Sequence, residues 1–282
     1  RLSGYMLTGR TDEQILAFAY GTGANGKSVF INTIAGILGD YARSAPIETF
    51  TDSAVERHPT DLAGLRGARF VASVETEQGR RWNESKVKAI TGGDKVSARF
   101  MRQDFFEYVP QFKLLIAGNH KPSLRSVDEA IRRRLHLIPF AVTIPPAERD
   151  PCLADKLRTE WPAILAWMIE GCVAWQRGGL QVPDAVRAAT AQYIEAEDAF
   201  GLWLGECVQR RPDAYETNAD LFASWKSWAD RAGENPGSLK RFSQTMVDRG
   251  IESRRQAKTG KSGFQGVRLI RPDYTDDPHY GG

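Results

Sequence analysis

Three absences in the 282-residue chain exclude whole classes of protein. Its cysteines, Cys152, Cys172 and Cys207, are far apart and form no Cys-x-x-Cys motif, which excludes a disulfide framework and a zinc ribbon and favours a reducing compartment. No stretch approaches the roughly 18–20 apolar residues of a membrane-spanning helix, so we expect no membrane partner. The chain also lacks an initiator methionine and a signal sequence, and we expect it to be a piece of a longer protein.

The remaining composition is that of a globular protein, with 41% hydrophobic and 26% charged residues. The net charge of +3 is unevenly distributed, because residues 240–271 contain nine basic and two acidic side chains. A basic segment on a mildly acidic body indicates a polyanionic partner such as nucleic acid, and a solvated charged surface is the alternative.

Hydrophobic periodicity changes along the chain. Between residues 15 and 140, short apolar strands alternate with helical stretches, which indicates an α/β core. After residue 146 the pattern is helical, and an apolar repeat from Ile164 to Trp175 that includes Trp167 predicts one buried helix face.

The C-terminal part has a pattern of its own, separated by a predicted linker at residues 210–213 (RRPD). Helices are predicted at 218–232 and 239–249, followed by two strands on either side of a basic turn at 258–263. This is the order of a winged-helix domain, and its second helix and its hairpin would carry the positive charge.

The clearest motif lies at residues 21–28, where GTGANGKS matches the pattern GxxxxGK[ST] between an apolar strand and a helix. Glycines allow backbone N–H groups to point at phosphate oxygens, and the helix N-terminus adds positive charge. Lys27 can reach the β- and γ-phosphates of ATP, and the Ser28 hydroxyl can ligate Mg²⁺. The predicted nucleotide-binding residues are Gly21, Thr22, Gly23, Ala24, Asn25, Gly26, Lys27, Ser28 and Val29.

Polar residues follow further apolar strands. Glu75 and Glu77 come directly after the strand at 70–74, and both side chains project to one side. Metal binding and water activation require two carboxylates placed in this way. The alternative is that they are surface acids, which are common at the ends of strands. Asn119 follows the strand at 113–117, where it can contact the γ-phosphate or the attacking water, or form an Asx-turn. The three arginines at 132–134 fit either a solvated helix face or an arginine finger.

Five ordered segments resemble the superfamily 3 helicase domain of phage and plasmid primase-helicases, with the satellite-phage type most similar and poxvirus primase-helicases as relatives. The segments are AYGTGANGKS, VASVETEQG, AITGGDKVSARF, KLLIAGNHKP and RRRLHLIPF. The resemblance implies an AAA+-like P-loop NTPase core that assembles as a homo-oligomeric ring, usually a hexamer. It further implies ATP hydrolysis with Mg²⁺ between subunits, movement along single-stranded DNA, and action in the cytoplasm of a bacterial host.

The resemblance also assigns roles to individual residues. It implies that residues 21–28 are the Walker A motif, that Glu75 and Glu77 are the Walker B acids, with Glu75 and Ser28 at the metal, and that Asn119 is the sensor. Thr76 separates the two acids, which leaves their division of labour open. The resemblance further implies an arginine finger with three candidates: Arg134 matches it best, then Arg133, and Arg132 is the third. It also implies a pore-lining hairpin within residues 92–112, whose basic residues are Lys95, Arg99 and Arg102.

The resulting architecture has three predicted parts: an ATPase core at 1–145, a helical lid or connector at 146–211, and a basic winged-helix-like domain at 212–282. In the last part, the basic residues predicted to bind DNA are Arg254, Arg255, Lys258 and Lys261. The predicted function is that of an ATP-dependent helicase module of a mobile-element replication protein, acting on single-stranded or forked DNA. The alternatives are an origin-remodelling ATPase without processive unwinding and a DNA-binding regulator that uses ATP as a switch.

Overall fold

The computed structural model describes residues 1–52, 60–74, 79–124, 127–256 and 260–270. The chain forms two compact units, 1–197 and 198–282. We predicted a boundary near residue 211, whereas the helices Leu153–Thr159, Trp161–Gly178 and Asp184–Ala196 belong to the first unit and the helix Ala199–Cys207 belongs to the second. The reason is packing, since Tyr193 and Ile194 of the helix Asp184–Ala196 are buried in the core of the first unit.

The elements of unit 1 alternate as the sequence predicts. In chain order they are α1 (Leu2–Met6), β1 (Leu16–Tyr20), α2 (Lys27–Leu38), β2 (Ala42–Ser44), α3 (Thr60–Ala63), β3 (Phe70–Val74), α4 (Glu84–Gly92), β4 (Val96–Ala98), β5 (Phe106–Tyr108), β6 (Lys113–Gly118), α5 (Glu129–Arg132), β7 (Leu135–Pro139), α6 (Leu153–Thr159), α7 (Trp161–Gly178) and α8 (Asp184–Ala196). The predicted strands at 70–74 and 113–117 and the helix predicted after the GxxxxGK[ST] motif are confirmed.

A parallel sheet forms the centre of unit 1, with strand order β2-β3-β6-β1-β7. Every neighbouring pair in this sheet runs parallel. Alternate residues of each strand face opposite sides, so Phe18 enters one hydrophobic cluster and Ala19 the other. Because the strands share one direction, their carboxyl ends meet at one edge of the sheet, which we call the carboxyl edge. The loop after β1 lies there.

Helix α7 differs from the prediction of a single buried face. Met168 and Trp175 are buried, but Trp167 is 54% exposed, Ile169 is 50% exposed and Leu165 is 36% exposed. The helix carries apolar residues on most of its circumference, so the repeat did not determine which side is buried. Within the described ranges, no helix has both the length and the apolar character needed to cross a membrane.

Lys113, the first residue of β6, is a buried cation at the edge of the sheet opposite the carboxyl edge. Its side chain is almost inaccessible to solvent, and its Nζ donates to the carbonyl oxygens of Thr8, Arg10 and Gln111. Burial, together with the nearby Arg69 guanidinium, lowers the pKa of Lys113 to about 7. The amino-terminal segment is therefore attached to the sheet through an amine that titrates near neutral pH.

We expect the free energy of unfolding to rise with pH between pH 7 and 9.5. As the pH rises through this window the folded chain loses the Lys113 proton, whereas the unfolded chain keeps it up to a pKa of about 10.4. The unfolded state thus binds more protons, and the slope from this group is at most about 1.4 kcal/mol per pH unit. Urea unfolding followed by tryptophan fluorescence measures it. Lys113→Met is expected to flatten the slope of the free energy of unfolding against pH. The control Lys156→Met, which alters an exposed lysine, is expected to leave this slope unchanged. A slope that persists in Lys113→Met contradicts the prediction.

Unit 2 combines helices with a small antiparallel sheet. Its elements are α9 (Ala199–Cys207), β8 (Val208–Thr217), α10 (Asn218–Ala232), α11 (Leu239–Asp248), β9 (Ser253–Arg255) and β10 (Ser262–Leu269). The strand order is β8-β10-β9. The predicted start of α10 is confirmed, because the Thr217 hydroxyl accepts from the backbone N–H of Asp220, and so is its end at Gly233, which has a left-handed φ of 72°.

The predicted linker at residues 210–213 is wrong, because these residues belong to β8. Arg210 pairs with Val267 of β10 in an antiparallel register. The strand lies at the edge of the sheet, and its residues 209–213 are exposed. Charged side chains and Pro212 are tolerated at such an edge, so a strand can have the composition of a linker.

Candidate functional site

The loop at residues 21–28, here called the GK loop, connects β1 to α2 at the carboxyl edge. Gly26 immediately precedes α2 with a left-handed φ of 86°, a conformation that favours glycine. A Cβ on Gly21 would come within 2.3 Å of the Phe140 carbonyl oxygen, so this position has no room for a side chain. The loop is therefore a tight curl of backbone around the start of a helix, which is the geometry of an anion cradle.

Lys27 is the first residue of α2, and its ammonium group lies inside this curl. Its side chain is only 7% exposed, and its Nζ lies 2.7 Å from the Gly21 carbonyl oxygen and 3.0 Å from Asn25 Oδ1. Asn119 Oδ1 is 3.4 Å from the same Nζ. Burial lowers the pKa of Lys27. The structure thus brings together Lys27 and Asn119, two predicted site residues that are far apart in the sequence.

The third predicted group follows β3, which lies beside β6 in the sheet. Val74, the last residue of β3, pairs with Ala117, two residues before Asn119. Glu75 and Glu77, the predicted acids, lie outside the described residues. Ser28 is exposed in the first turn of α2. In the part of the chain that the structure describes, no group of His, Cys, Asp or Glu residues is arranged to hold a metal ion.

Residues 140–144, which sequence reasoning missed, run beside the GK loop. Asn25 Nδ2 donates to the Phe140 carbonyl oxygen at 3.0 Å, and the Ile144 backbone N–H donates to the Ala24 carbonyl oxygen at 2.8 Å. The segment FAVTI contains no residue type that marks phosphate chemistry. Its position follows from the strand order alone, since β7 lies next to β1 and ends at the same edge.

Lys121 is a second missed residue near the GK loop. Its Nζ lies 4.1 Å from the centroid of the Tyr20 ring, and Tyr20 directly precedes the loop. Tyr193 of α8 holds this segment in place, because its hydroxyl donates to the Pro122 carbonyl and accepts from Trp82 Nε1. Burial lowers the pKa of Lys121. The chain after Asn119 therefore contacts both the end of β1, directly before the GK loop, and α8.

The predicted finger arginines lie at the opposite edge of the sheet. The Arg134 carbonyl accepts from the N–H of Leu16, the first residue of β1, whereas the GK loop follows Tyr20, the last residue of β1. The Arg134 side chain is buried, and its Nε donates to Thr91 Oγ1 at 3.1 Å while Nη1 donates to the Ala130 carbonyl at 2.8 Å. Burial lowers the pKa of Arg134. Arg133, by contrast, is exposed.

Strands β4 and β5 form an antiparallel hairpin that carries the predicted pore residues. Lys95 forms an ion pair with Glu107 at 3.7 Å, the Arg99 guanidinium stacks over the Phe105 ring at 4.6 Å, and Arg102 is at the exposed tip. Sequence reasoning missed that the tip also exposes apolar side chains. These are Phe100, Met101 and Phe105, at 41%, 74% and 57%.

The predicted basic residues of unit 2 lie on and beside β9. Arg254 and Arg255 are exposed and pair with Gly263 and Ser262 of β10. Arg255 Nε donates to the Gly260 carbonyl oxygen at 2.8 Å. Lys261 is exposed next to β10, and Lys258 lies outside the described residues.

Comparison with known proteins gives both family and sequence similarity. A family described as one of unknown function, DUF5906, matches residues 19–134, less than half of the chain. Three curated viral proteins are similar in sequence. They are "Putative helicase 022R" of Frog virus 3 (isolate Goorha), 26% identical over 257 residues, "Putative helicase L207/L206" of Acanthamoeba polyphaga mimivirus, 26% identical over 243 residues, and "Putative helicase 184R" of Invertebrate iridescent virus 6, 29% identical over 160 residues.

These viral proteins are much longer than the matched region. The matches cover 83%, 79% and 54% of this chain but only 26%, 25% and 16% of the relatives. The chain therefore spans about a quarter or less of the length of the curated relatives.

Solved structures of NrS-1 share the fold. The apo structure of its C-terminal region (305–718) has a TM-score of 0.52 and 9% identity, over 91% of this chain and 67% of that one. An A-form apo structure of the same region has a TM-score of 0.53 and 9% identity, over 90% and 67%. The chain is thus similar in sequence to viral proteins named as putative helicases and shares a mixed α/β fold with the C-terminal region of NrS-1.

Proposed function

We propose that the chain is the ATP-dependent helicase module of a replication protein of superfamily 3 type, from a phage or another mobile element. The contact between Lys27 and Asn119 carries this proposal. It joins the GK loop, which a phosphate chain would enter, to the strand end where the γ-phosphate or the attacking water would be sensed. Because the viral relatives are named as putative helicases, the function that we propose for this arrangement is movement along DNA.

The residues at the carboxyl edge fit the phosphates of ATP. A glycine-rich loop of this kind can offer backbone N–H groups to phosphate oxygens, and the buried Lys27 ammonium lies among oxygen acceptors that phosphate oxygens can replace. Ser28 and Glu75 would hold Mg²⁺, which neutralises charge on the phosphates when bound. Asn119 would position the water through its side-chain amide, and a carboxylate of Glu75 or Glu77 would accept the proton of that water.

The position of Arg133 supports action between subunits. The strands of the sheet separate it from the GK loop of its own chain by about 16 Å, the length of a five-residue strand. An arginine side chain does not span that distance, so an exposed arginine here would act on a neighbouring copy. We therefore propose a homo-oligomeric ring, with a hexamer as the expected number, in which Arg133 reaches the phosphate site of the next subunit.

Strand separation on a forked duplex with a single-stranded tail tests the proposed function. We expect the full chain to hydrolyse ATP, to be stimulated by single-stranded DNA, and to separate the fork only when ATP and Mg²⁺ are present. Hydrolysis without separation would favour an origin-remodelling ATPase instead. DNA binding without hydrolysis would favour an ATP-switched regulator.

The hairpin provides a prediction for DNA coupling. Replacing Arg99 and Arg102 together by Ala is expected to remove the stimulation of ATP hydrolysis by single strands and to stop unwinding, while basal hydrolysis continues. Each lost phosphate contact lowers the salt dependence, so the slope of log affinity against log salt should fall by about 1.4. Fluorescence anisotropy at several salt concentrations measures this slope.

The matched control replaces two exposed arginines away from the hairpin, Arg158 and Arg187. The same net charge is removed, so a general loss of positive charge would show equally in both double variants. If the hairpin variant unwinds like the parent, the hairpin is not the DNA-coupling site. The basic residues of unit 2 would then be the next candidates.

A further inference from the structure

The chain at residues 119–124, here called the 119–124 segment, leaves the sheet at the carboxyl edge. It follows β6, which ends at Gly118, and its first two residues, Asn119 and His120, are exposed. Asn119 Oδ1 lies 3.4 Å from Lys27 Nζ, which is longer than the roughly 2.7–3.2 Å of most N–H···O hydrogen bonds. A small displacement of the segment would therefore break this contact, so the contact depends on what holds the segment.

Tyr193 of α8 contacts the 119–124 segment directly after its exposed start. Tyr193 is 4% exposed, and its hydroxyl donates to the Pro122 carbonyl oxygen. The same hydroxyl accepts from Trp82 Nε1 at 3.1 Å; because an indole N–H can only donate, the hydroxyl proton is left for Pro122. Lys121 Nζ lies 5.7 Å from the centroid of the Tyr193 ring. Both contacts with the segment fall within three residues of Asn119.

The rest of the segment is held at two further points. Glu197, which follows the end of α8, accepts from the backbone N–H of Leu124 at 2.8 Å. Between these points, the Ser123 N–H donates to the Arg80 carbonyl and the Ser123 carbonyl accepts from the Trp82 N–H, each at 2.9 Å. The Tyr193 hydroxyl is therefore the attachment nearest to Asn119 that α8 provides through a hydrogen bond.

Helix α8 is itself fixed to the sheet. Thr190 Oγ1 accepts from the N–H of Leu137 on β7 at 3.0 Å, and Ile194 is 2% exposed in the core of unit 1. Strand β7 pairs along its whole length with β1, which the GK loop follows. The helix therefore holds the 119–124 segment in a defined position relative to the GK loop.

We propose that Tyr193 is a positioning residue for ATP hydrolysis, which keeps Asn119 at the phosphate site through its hydrogen bond to the Pro122 carbonyl. Because Tyr193 is buried, it acts through the segment and not on the nucleotide. The inference rests on the proposed function in taking Asn119 as the group that contacts the γ-phosphate or the attacking water. It adds a residue of the C-terminal helices of unit 1 to the hydrolytic site.

A purely structural role for the hydroxyl is the competing explanation. A buried indole N–H needs an acceptor, and Tyr193 supplies one to Trp82. In that case the loss of the hydroxyl would lower the stability of the fold and leave the turnover of each folded molecule unchanged. A positioning role lowers turnover itself, since misplacement of a reacting group by about 1 Å costs up to about 100-fold in rate.

Tyr193→Phe removes the hydroxyl and keeps the ring. We expect kcat for ATP to fall about tenfold, the effect of one buried hydrogen bond, while KM and the affinity for a fluorescent ATP analogue stay within about twofold of the parent. The matched control is Tyr5→Phe. Tyr5 is 1% exposed, and its hydroxyl accepts from the Glu13 N–H at 3.2 Å, but it lies beside Lys113 at the opposite edge of the sheet. This variant should keep the kcat of the parent.

Turnover is expressed per molecule that binds the analogue, so unfolded chains do not count as a loss of activity. Thermal unfolding of both variants shows the structural cost of each hydroxyl. If Tyr193→Phe loses stability but keeps the kcat of the parent, the hydroxyl is structural and the proposal is wrong.

A double-mutant cycle tests whether Tyr193 acts through Asn119. Asn119→Ala alone is expected to lose about 10² to 10³ in kcat, as for other positioned amides. Adding Tyr193→Phe to Asn119→Ala should then cost less than about twofold more, because the group that the hydroxyl positions is already absent. A further tenfold loss in the Asn119→Ala background would show that the two residues act independently, which overturns the proposal.

Amide hydrogen exchange provides a measurement that does not depend on activity. Tyr193→Phe is expected to raise exchange within residues 119–124 about tenfold, because the segment opens more readily when one of its attachments is lost. Tyr5→Phe should leave exchange in this segment unchanged. Unchanged exchange in Tyr193→Phe overturns the Tyr193 proposal whatever the activity of the variant.

The results separate this proposal from the helicase proposal. A parent that hydrolyses ATP and unwinds forks, with a Tyr193→Phe variant that matches it in kcat, overturns the Tyr193 proposal alone. A parent that hydrolyses no ATP overturns the helicase proposal, and hydrogen exchange then still decides whether Tyr193 holds the 119–124 segment.

Discussion

Replacement of Lys27 by Ala is expected to reduce ATP hydrolysis by a factor of about 10² to 10³ or more. The Lys27 ammonium is the cation that lies inside the GK loop, within hydrogen-bond distance of oxygens from the loop and from Asn119. Charge develops on the phosphates as the bond to the γ-phosphate breaks, and a fixed, largely desolvated cation stabilises that charge far more than bulk water does.

Phosphate release in the steady state measures this loss, and a fluorescent ATP analogue measures binding separately. Lys27→Met keeps the length of the side chain and removes only the charge, so it should lose hydrolysis as fully as Lys27→Ala. Lys156→Ala, on the surface of α6, is the control and should hydrolyse ATP normally. The midpoint of thermal unfolding should change little, because the Gly21 carbonyl lies in a loop that water can reach.

Normal hydrolysis by Lys27→Met would show that the GK loop is not the phosphate site. The acids that follow β3 provide an independent check of the same site. Glu75→Gln and Glu77→Gln should each bind the ATP analogue, and at least one should lose turnover. If both turn over normally, the proton acceptor is another group.

Most of unit 1 could be predicted from the sequence because its signals are local. The glycines of the GK loop and the apolar strands β1, β3 and β6 each depend on a few neighbouring residues. The proximity of Lys27 and Asn119 could also be predicted from the sequence. Both follow the carboxyl ends of predicted strands, and the carboxyl ends of parallel strands share one edge.

Features that depend on strand order and burial could not be predicted. The position of residues 140–144 beside the GK loop requires that β7 lie next to β1, which no local signal specifies. The strand character of residues 210–213 depends on pairing with β10, since the segment itself has the composition of a linker. Arg133 and Arg134 are chemically identical neighbours, and only the packing of Thr91 and the Ala130 carbonyl around one of them distinguishes their environments.

That pair of arginines provides the second large effect, because we expect the two alanine variants to fail for different reasons. Arg133→Ala should fold normally and bind ATP, yet lose turnover by a factor of about 10³ to 10⁵, the range measured for arginine fingers. Arg134→Ala should instead lose about 3 kcal/mol of stability, since it removes two hydrogen bonds of a buried guanidinium. Thermal unfolding and phosphate release on both variants separate these outcomes.

Mixed assemblies test whether Arg133 acts on a neighbouring subunit. Lys27→Ala lacks a working phosphate site but keeps its arginine, and Arg133→Ala has the reverse defect. A mixture should therefore regain activity at the interfaces where an intact site faces an intact arginine, whereas each variant alone stays inactive. Recovery requires assembly, so the mass of the mixture is measured in solution with an ATP analogue and single-stranded DNA.

An assembled mixture without recovery would exclude action of Arg133 between subunits. Arg134→Lys then becomes the informative variant, because it keeps the positive charge and can restore one of the two buried hydrogen bonds. If Arg134→Lys is as stable as the parent yet inactive, the buried arginine would have to leave Thr91 to reach a neighbour during turnover. Since Thr91 belongs to α4, which leads into the β4–β5 hairpin, that movement would directly connect ATP hydrolysis in one subunit to the hairpin of the next, which we propose contacts DNA.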